Sequence, residues 1–132
     1  MENFIHKIWI SVGSNVPDAE RKITIALQRL SELDFFLKSS SLYRTHALNR
    51  IDPDYINGVV SIQTVLGYED INSRLKDIEI SLGRSPESKK KGRVEIDLDI
   101  VVFDDKVIRD KDFQQDYFKK GYEELLNSEV SH

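Results

Sequence analysis

The chain has 132 residues, 39% hydrophobic and 32% charged, which suits one domain over 1–132 with a single sizeable core and excludes a disordered chain. Its 19 basic and 23 acidic residues leave a net charge of −4, so neither nucleic acid nor an anionic membrane is expected as a bulk electrostatic partner. The lack of cysteine removes disulfide frameworks, thiolate zinc sites and cysteine nucleophiles; no apolar run approaches the ~20 residues of a membrane span, and residues 1–9 lack a secretory apolar stretch, so a cytoplasmic protein is expected.

Ile8, Ile10 and Val12 alternate with Trp9 and Ser11, the period of a strand, and Gly13-Ser14-Asn15 supplies its closing turn. From Pro17 the spacing becomes helical through Ile23, Ala26 or Leu27, Leu30 and Leu33, with Asn15 or Ser14 as the expected cap. The segment 35–45 is β-prone, and so is 58–66, where Val60, Ile62 and Thr64 alternate with Val59, Ser61, Gln63 and Val65; a loop over 46–54 joins them as antiparallel strands. Ile71, Leu75, Ile78 and Leu82 form the stripe of a second helix ending at Gly83. Residues 84–92 hold no apolar side chain and a Lys89-Lys90-Lys91 run, the composition of an exposed mobile loop. Val94, Ile96, Leu98, Ile100 and Val102 then share one strand face, with Arg93, Glu95, Asp97 and Asp99 on the other. Beyond an Asp104-Asp105 turn, Phe113, Tyr117, Gly121 or Tyr122, and Leu125 predict a terminal amphipathic helix that frays past Asn127.

The order strand, helix, strand, strand, helix, strand is that of an α+β ferredoxin-like βαββαβ sandwich: an antiparallel sheet, both helices on one face, and here an extra C-terminal helix. That topology sets the first and last strands side by side, so the Gly13 turn and the Asp97-Asp99 strand converge. Two carboxylates two residues apart on a strand project from one face about 7 Å apart, a spacing that suits a hard divalent cation such as Mg²⁺ completed by water and phosphate oxygens. An ordinary solvated strand face is the alternative; it is weakened because aspartate is disfavoured in central strands and two like charges repel. Arg84, Lys89, Lys90, Lys91 and Arg93 bracket that face and suit a polyphosphate, although any one lysine reads equally as a solvated charge. Tyr55 and Asn57, placed beside a turn, offer stacking and paired hydrogen bonds to a flat heterocycle, or else serve as a core tyrosine and a turn asparagine. His6 and His46 have no visible metal-ligand partner and read as non-catalytic.

Five segments in order, Gly13-Ser14-Asn15, Ser41-Leu42-Tyr43-Arg44-Thr45, Asp54-Tyr55-Ile56-Asn57, Glu79 with Gly83-Arg84, and Ile96-Asp97-Leu98-Asp99-Ile100, together resemble the 6-hydroxymethyl-7,8-dihydropterin pyrophosphokinase family across residues 7–108. The resemblance implies an enzyme of folate synthesis that transfers pyrophosphate from ATP to the pterin hydroxymethyl group; a monomer is expected. It implies that Asp97 and Asp99 hold two Mg²⁺ ions, that Thr45, Leu48, Tyr55 and Asn57 line the pterin pocket, and that Glu79, Arg84, Lys91 and Ile100 belong to the ATP site, with Arg84 and Arg93 assisting catalysis. Val94 stands where the family carries an arginine, with Arg93 one residue early; Lys91 replaces an aromatic residue and His46 a proline. A bulge before Ile96 would let Arg93 swing towards the aspartates. The family's C-terminal ATP-binding segment has no evident counterpart, and 110–126 reads as a replacement helix, so a C-terminally short variant is implied. A catalytically weak pterin or nucleotide binder and a ferredoxin-like interaction module are the alternative readings.

Overall fold

Strand β1 (His6–Ser14) runs through the middle of the sheet because both its faces find apolar cover: Ile8, Ile10 and Val12 on one side, Trp9 on the other. The computed structural model describes residues 4–33 and 36–130, so Phe35, the expected start of the second strand, lies outside the described residues. Helix α1 (Ala19–Ser31) follows β1; then come β2 (Phe36–Ser39), β3 (Tyr43–Thr45), β4 (Tyr55–Thr64) and α2 (Tyr68–Ser81). A short α3 (Pro86–Lys90) precedes β5 (Asp97–Phe103) and β6 (Lys106–Val107), and α4 (Asp110–Phe113) and α5 (Asp116–Val130) complete the chain. The strands lie in the order β2-β4-β1-β5-β6, all antiparallel, with β3 prolonging the β2 edge along β4. The predicted α+β ferredoxin-like arrangement is the one observed, with β1 and β5 adjacent.

Ile23, Ala26 and Leu30 of α1 and Ile71, Leu75 and Ile78 of α2 pack with Ile8, Ile10, Val12, Val60, Ile62, Ile96, Leu98 and Ile100 on one face. A second core on the opposite face gathers Trp9, Val59, Val101 and Val102 under Phe118 and Leu125 of α5. Helix α5 comes so close to β4 that a Cβ on Gly121 would sit 2.7 Å from Val59 Cγ2 and 2.9 Å from Ser40 Oγ.

Several local expectations need correction. The predicted 35–45 strand is two strands, because the four steps from Ser39 to Tyr43 oppose only three from Val60 to Asn57, and the extra residue bulges out. The Glu124 carboxylate of α5 takes the freed Ser41 N–H at 2.7 Å. Strand β4 begins at Tyr55, so Tyr55 and Asn57 are strand residues. Asp18, not Asn15 or Ser14, is the α1 N-cap; Ser14 Oγ donates to the Glu95 carbonyl at 2.7 Å, and Asn15 accepts from Val94 N–H and donates to the Gly92 carbonyl. Residues 84–92 contain a helical turn because Ser85 and Ser88 form a reciprocal capping box with Pro86 at the first helical position. The β5 alternation breaks at both ends. Ile10 opposes Ile100 while Trp9 opposes Val102, so Val101 is a bulge residue and Val102 joins the second core instead of the first. Glu95 turns away from the aspartates to Lys22 of α1, 3.3 Å distant. Finally, the terminal helix is split at Gln114-Gln115, and α5 remains helical past Asn127.

Candidate active site

Helix α5 covers only part of its sheet face, and the uncovered part forms the floor of a cavity of about 320 Å³. Ser11 and Gly13 of β1, Tyr55 and Asn57 of β4, and Asp97 and Asp99 of β5 line it from below. Pairing brings them together: Gly13 lies between Asn57 and Asp97, and Ser11 lies opposite Asp99. Alternation then turns all of these side chains to one face. A Cβ at residue 13 would stand 2.7 Å from Asn57 Oδ1 and would push the Asn57 carboxamide from its place. The loop 46–54 supplies one wall through His46, Ala47, Leu48, Asn49 and Asp52, and the C-terminal segment supplies another through Asp112 and Tyr117.

Charge is concentrated at the β5 end of the floor. Burial and then the neighbouring Asp97 carboxylate push Asp99 up to about 7, with Arg109 and Lys76 acting in the opposite direction. Arg84 reaches Asp97 at 2.7 Å and Glu79 at 2.9 Å; burial opposes its charge, but these carboxylates outweigh that cost and hold it firmly cationic. Glu79 is buried and also accepts the Leu98 N–H at 2.7 Å, so one carboxylate fixes both the Arg84 guanidinium and the start of β5. At the β4 end, Asn57 donates to Thr45 Oγ1 across the β3–β4 pairing. Burial, followed by the charges of Asp97 and Asp52, raises the Tyr55 phenol and keeps it protonated. A flat ring beside a buried carboxamide can hold a polar heterocycle, and two carboxylates beside an arginine can hold a cation and a phosphate chain.

Of the residues singled out in the sequence, Asp97, Asp99, Thr45, Leu48, Tyr55 and Asn57 line this cavity, and Arg84 stands directly behind Asp97. Others lie elsewhere. Arg93 pairs with Glu95 at 2.5 Å instead of swinging towards the aspartates, because Asn15 clamps 92–94 and carries residue 93 to the α1 side. Lys91 is exposed at the end of α3, and Ile100 is buried in the first core. Sequence reading missed Ser11, which its outward parity could have marked, and Asp52, Asp112 and Tyr117, which only chain folding brings to the cavity. It also missed that His46 lines the cavity, where it pairs with Asp54 at 3.0 Å.

Comparison with known proteins bears on this geometry. Residues 9–125 match the family model described as 7,8-dihydro-6-hydroxymethylpterin-pyrophosphokinase, so the match runs through α4 and into α5, past residue 108 where the motifs stop. A 2-amino-4-hydroxy-6-hydroxymethyldihydropteridine pyrophosphokinase of Aquifex aeolicus is 32% identical over 105 residues, 79% of this chain and 65% of that protein. The protein of the same name from Haemophilus influenzae is 30% identical over 106 residues, 78% of this chain and 66% of the relative. Folic acid synthesis protein fol1 of Schizosaccharomyces pombe is 34% identical over 100 residues, 74% of this chain but only 14% of that much longer protein. This chain thus spans slightly under two thirds of the length of the bacterial relatives. With 9–125 matched as one stretch that includes the whole cavity floor, the chain belongs to the 7,8-dihydro-6-hydroxymethylpterin-pyrophosphokinase family.

Proposed function

We propose that this chain transfers the pyrophosphoryl group of ATP to 6-hydroxymethyl-7,8-dihydropterin, releasing AMP and forming the pterin diphosphate used in folate synthesis. The observation that carries the reading is the single concave floor on which a half-buried tyrosine and a buried asparagine lie across Gly13 from two adjacent aspartates. In this reaction the pterin hydroxyl oxygen bonds to the β-phosphorus of ATP as the bond from that phosphorus to the α–β bridging oxygen breaks, the bridging oxygen leaves with AMP, and the hydroxyl proton is released to solvent. The chain's part is to hold the two reactants in line and to stabilise the charge on the phosphates. Tyr55, Asn57, Thr45 and Leu48 would orient the pterin, and Arg84, fixed by Glu79, would face the phosphates. Lys91 would reach the nucleotide from its exposed turn, and Ile100 would support β5 from the core.

Among the described residues, no group of three or more His, Asp or Glu converges as a metal cage. Asp97 and Asp99 alone nevertheless fit Mg²⁺, which binds through one or two carboxylates and takes phosphate oxygens and water for the rest; a cation bound there would also offset the repulsion between Asp99 and Asp97. Bound there, Mg²⁺, as two ions, would neutralise the triphosphate charge. Among the described residues no helix is long and apolar enough to cross a membrane; that the chain works as a monomer in the cytoplasm is part of the proposal.

An assay of AMP formation from ATP, Mg²⁺ and hydroxymethyl-dihydropterin tests the reading. Turnover is expected, and Asp97→Ala or Asp99→Ala should lower it by at least about a hundredfold with an unchanged circular dichroism spectrum. Retained turnover in either variant would remove the carboxylates' role. A wild-type protein that binds the pterin by calorimetry yet forms no AMP would replace the enzyme with a binding protein.

A further inference from the structure

Each of the paired aspartates faces its own arginine. Arg84 meets Asp97 at 2.7 Å from the α2 side, and Arg109 meets Asp99 at 4.0 Å from the opposite side. Nothing in the sequence marks Arg109; the Val101 bulge places it, for the Val101 carbonyl accepts both the Ile108 and the Arg109 N–H and folds the chain back over β5. The Arg109 guanidinium is also held by its Nε to Asp112. The other Asp112 oxygen accepts the Tyr117 hydroxyl, and the Tyr117 carbonyl accepts the Tyr43 hydroxyl at 2.5 Å, which in turn accepts the Gly121 N–H at 3.2 Å. The C-terminal helices therefore act on Asp99 through one chain of contacts.

The two ends of this chain differ in strength. Arg109 binds Asp112 directly, but it stands at the limit of an ion pair with Asp99 and is half exposed, so it offsets charge there without enclosing the carboxylate. We propose that Arg109 is the resident counter-ion of Asp99, a positioning residue that a divalent cation must displace when it occupies the aspartate pair. Asp112 and Tyr117 keep the displaced guanidinium beside the pocket. The inference rests on the proposed role of Asp97 and Asp99 as cation ligands and adds a competitor to that site.

Removing a competing positive charge should strengthen cation binding. Titration of the protein with Mn²⁺ alone, followed by electron paramagnetic resonance without nucleotide or pterin, measures this directly. Arg109→Ala is expected to bind Mn²⁺ about three- to tenfold more tightly than wild type, the scale of one partly screened charge. Arg109→Lys should keep the wild-type affinity, because it restores the charge; a merely structural role would give no such rescue. Asp112→Asn, which removes a carboxylate from the pocket and leaves Arg109 with Asp99 as its remaining acidic partner, should bind Mn²⁺ more weakly than wild type, and tighter binding would count against the competition. Equal or weaker binding by Arg109→Ala, with a melting curve showing it folded, would overturn the counter-ion role while leaving the aspartate site standing. If wild type and all variants bind no Mn²⁺, or if Asp97→Asn does not weaken the binding, the cation site fails and this inference fails with it.

Discussion

Asp99 experiences a strong electrostatic conflict, being mostly buried beside a second carboxylate on a central strand. Its unfolded-state value lies near 3.9, so between about pH 4 and pH 7 the folded chain holds a proton that the unfolded chain has lost. The sign follows: without a cation, the contribution of this group to stability is full below about pH 4 and declines as pH rises to about 7. The total effect is on the order of 2–4 kcal/mol. Urea unfolding of wild type and Asp99→Asn at several pH values in the presence of a chelator would expose the slope. Its absence in wild type, or its survival in Asp99→Asn, would show that Asp99 is not its source. A destabilised charged carboxylate lining a cavity is an environment in which functional groups cluster.

At the scale of elements, α5 both completes the second core and walls the cavity, and one glycine lets it do so. Gly121→Ala would press a methyl group against Val59 and Ser40, neither of which can retreat: Val59 is fully buried in β4, and Ser40 Oγ accepts the Val59 N–H at 2.9 Å. Overpacking of this kind costs about 1–3 kcal/mol. Thermal unfolding should show the loss, and, under the proposed function, pterin affinity should drop because Tyr117 moves with α5 and its hydroxyl bond draws Asp112 of α4 along. A variant as stable as wild type would mean that α5 packs further from the sheet than 2.7 Å implies. The basic segment 84–92 illustrates the opposite case, in which purely local chemistry prevails. Its capping box makes a helical turn without any buried side chain, so ordering there needs no core.

Across the whole molecule, two apolar cores share a single sheet, and every central strand contributes to both. Neither face can lose its cover without exposing strands that support the other, so unfolding should be one cooperative event. Trp9 is the only tryptophan and belongs to the second core, edge-on to Tyr122 at 4.6 Å, whereas α1 and α2, which dominate the far-ultraviolet signal with α5, cover the first. Denaturation followed by tryptophan fluorescence and by circular dichroism should therefore give coincident transitions. A fluorescence transition at distinctly lower denaturant would show α5 leaving the sheet on its own.

The periodic parts of this fold were legible in the amino-acid order because burial on one face imposes a period that any reader can count. The stripes Ile8-Ile10-Val12 and Ile71-Leu75-Ile78, the strand-helix order and the Asp97-Asp99 pair all follow from that constraint. Tyr55 and Asn57 stood out as candidates and both line the cavity, although their place inside β4 was not legible, since nothing local distinguishes a turn from the first residues of a strand. Parity failed wherever a bulge intervened. Val102 changed faces because Val101 is unpaired, and Glu95 turned to Lys22 because Ser14 and Asn15 capture the backbone on either side of it. These are contacts between residues some 80 positions apart, decided by which strands become neighbours. The same tertiary pairing sent Arg93 to Glu95, drew Arg109 to Asp99 and brought Asp112 and Tyr117 to the pocket. A sequence determines which side chains alternate and where helices begin, because those depend on near neighbours along the chain. Only the folded sheet decides which charges meet, because that depends on register, and one extra residue in one strand changes it.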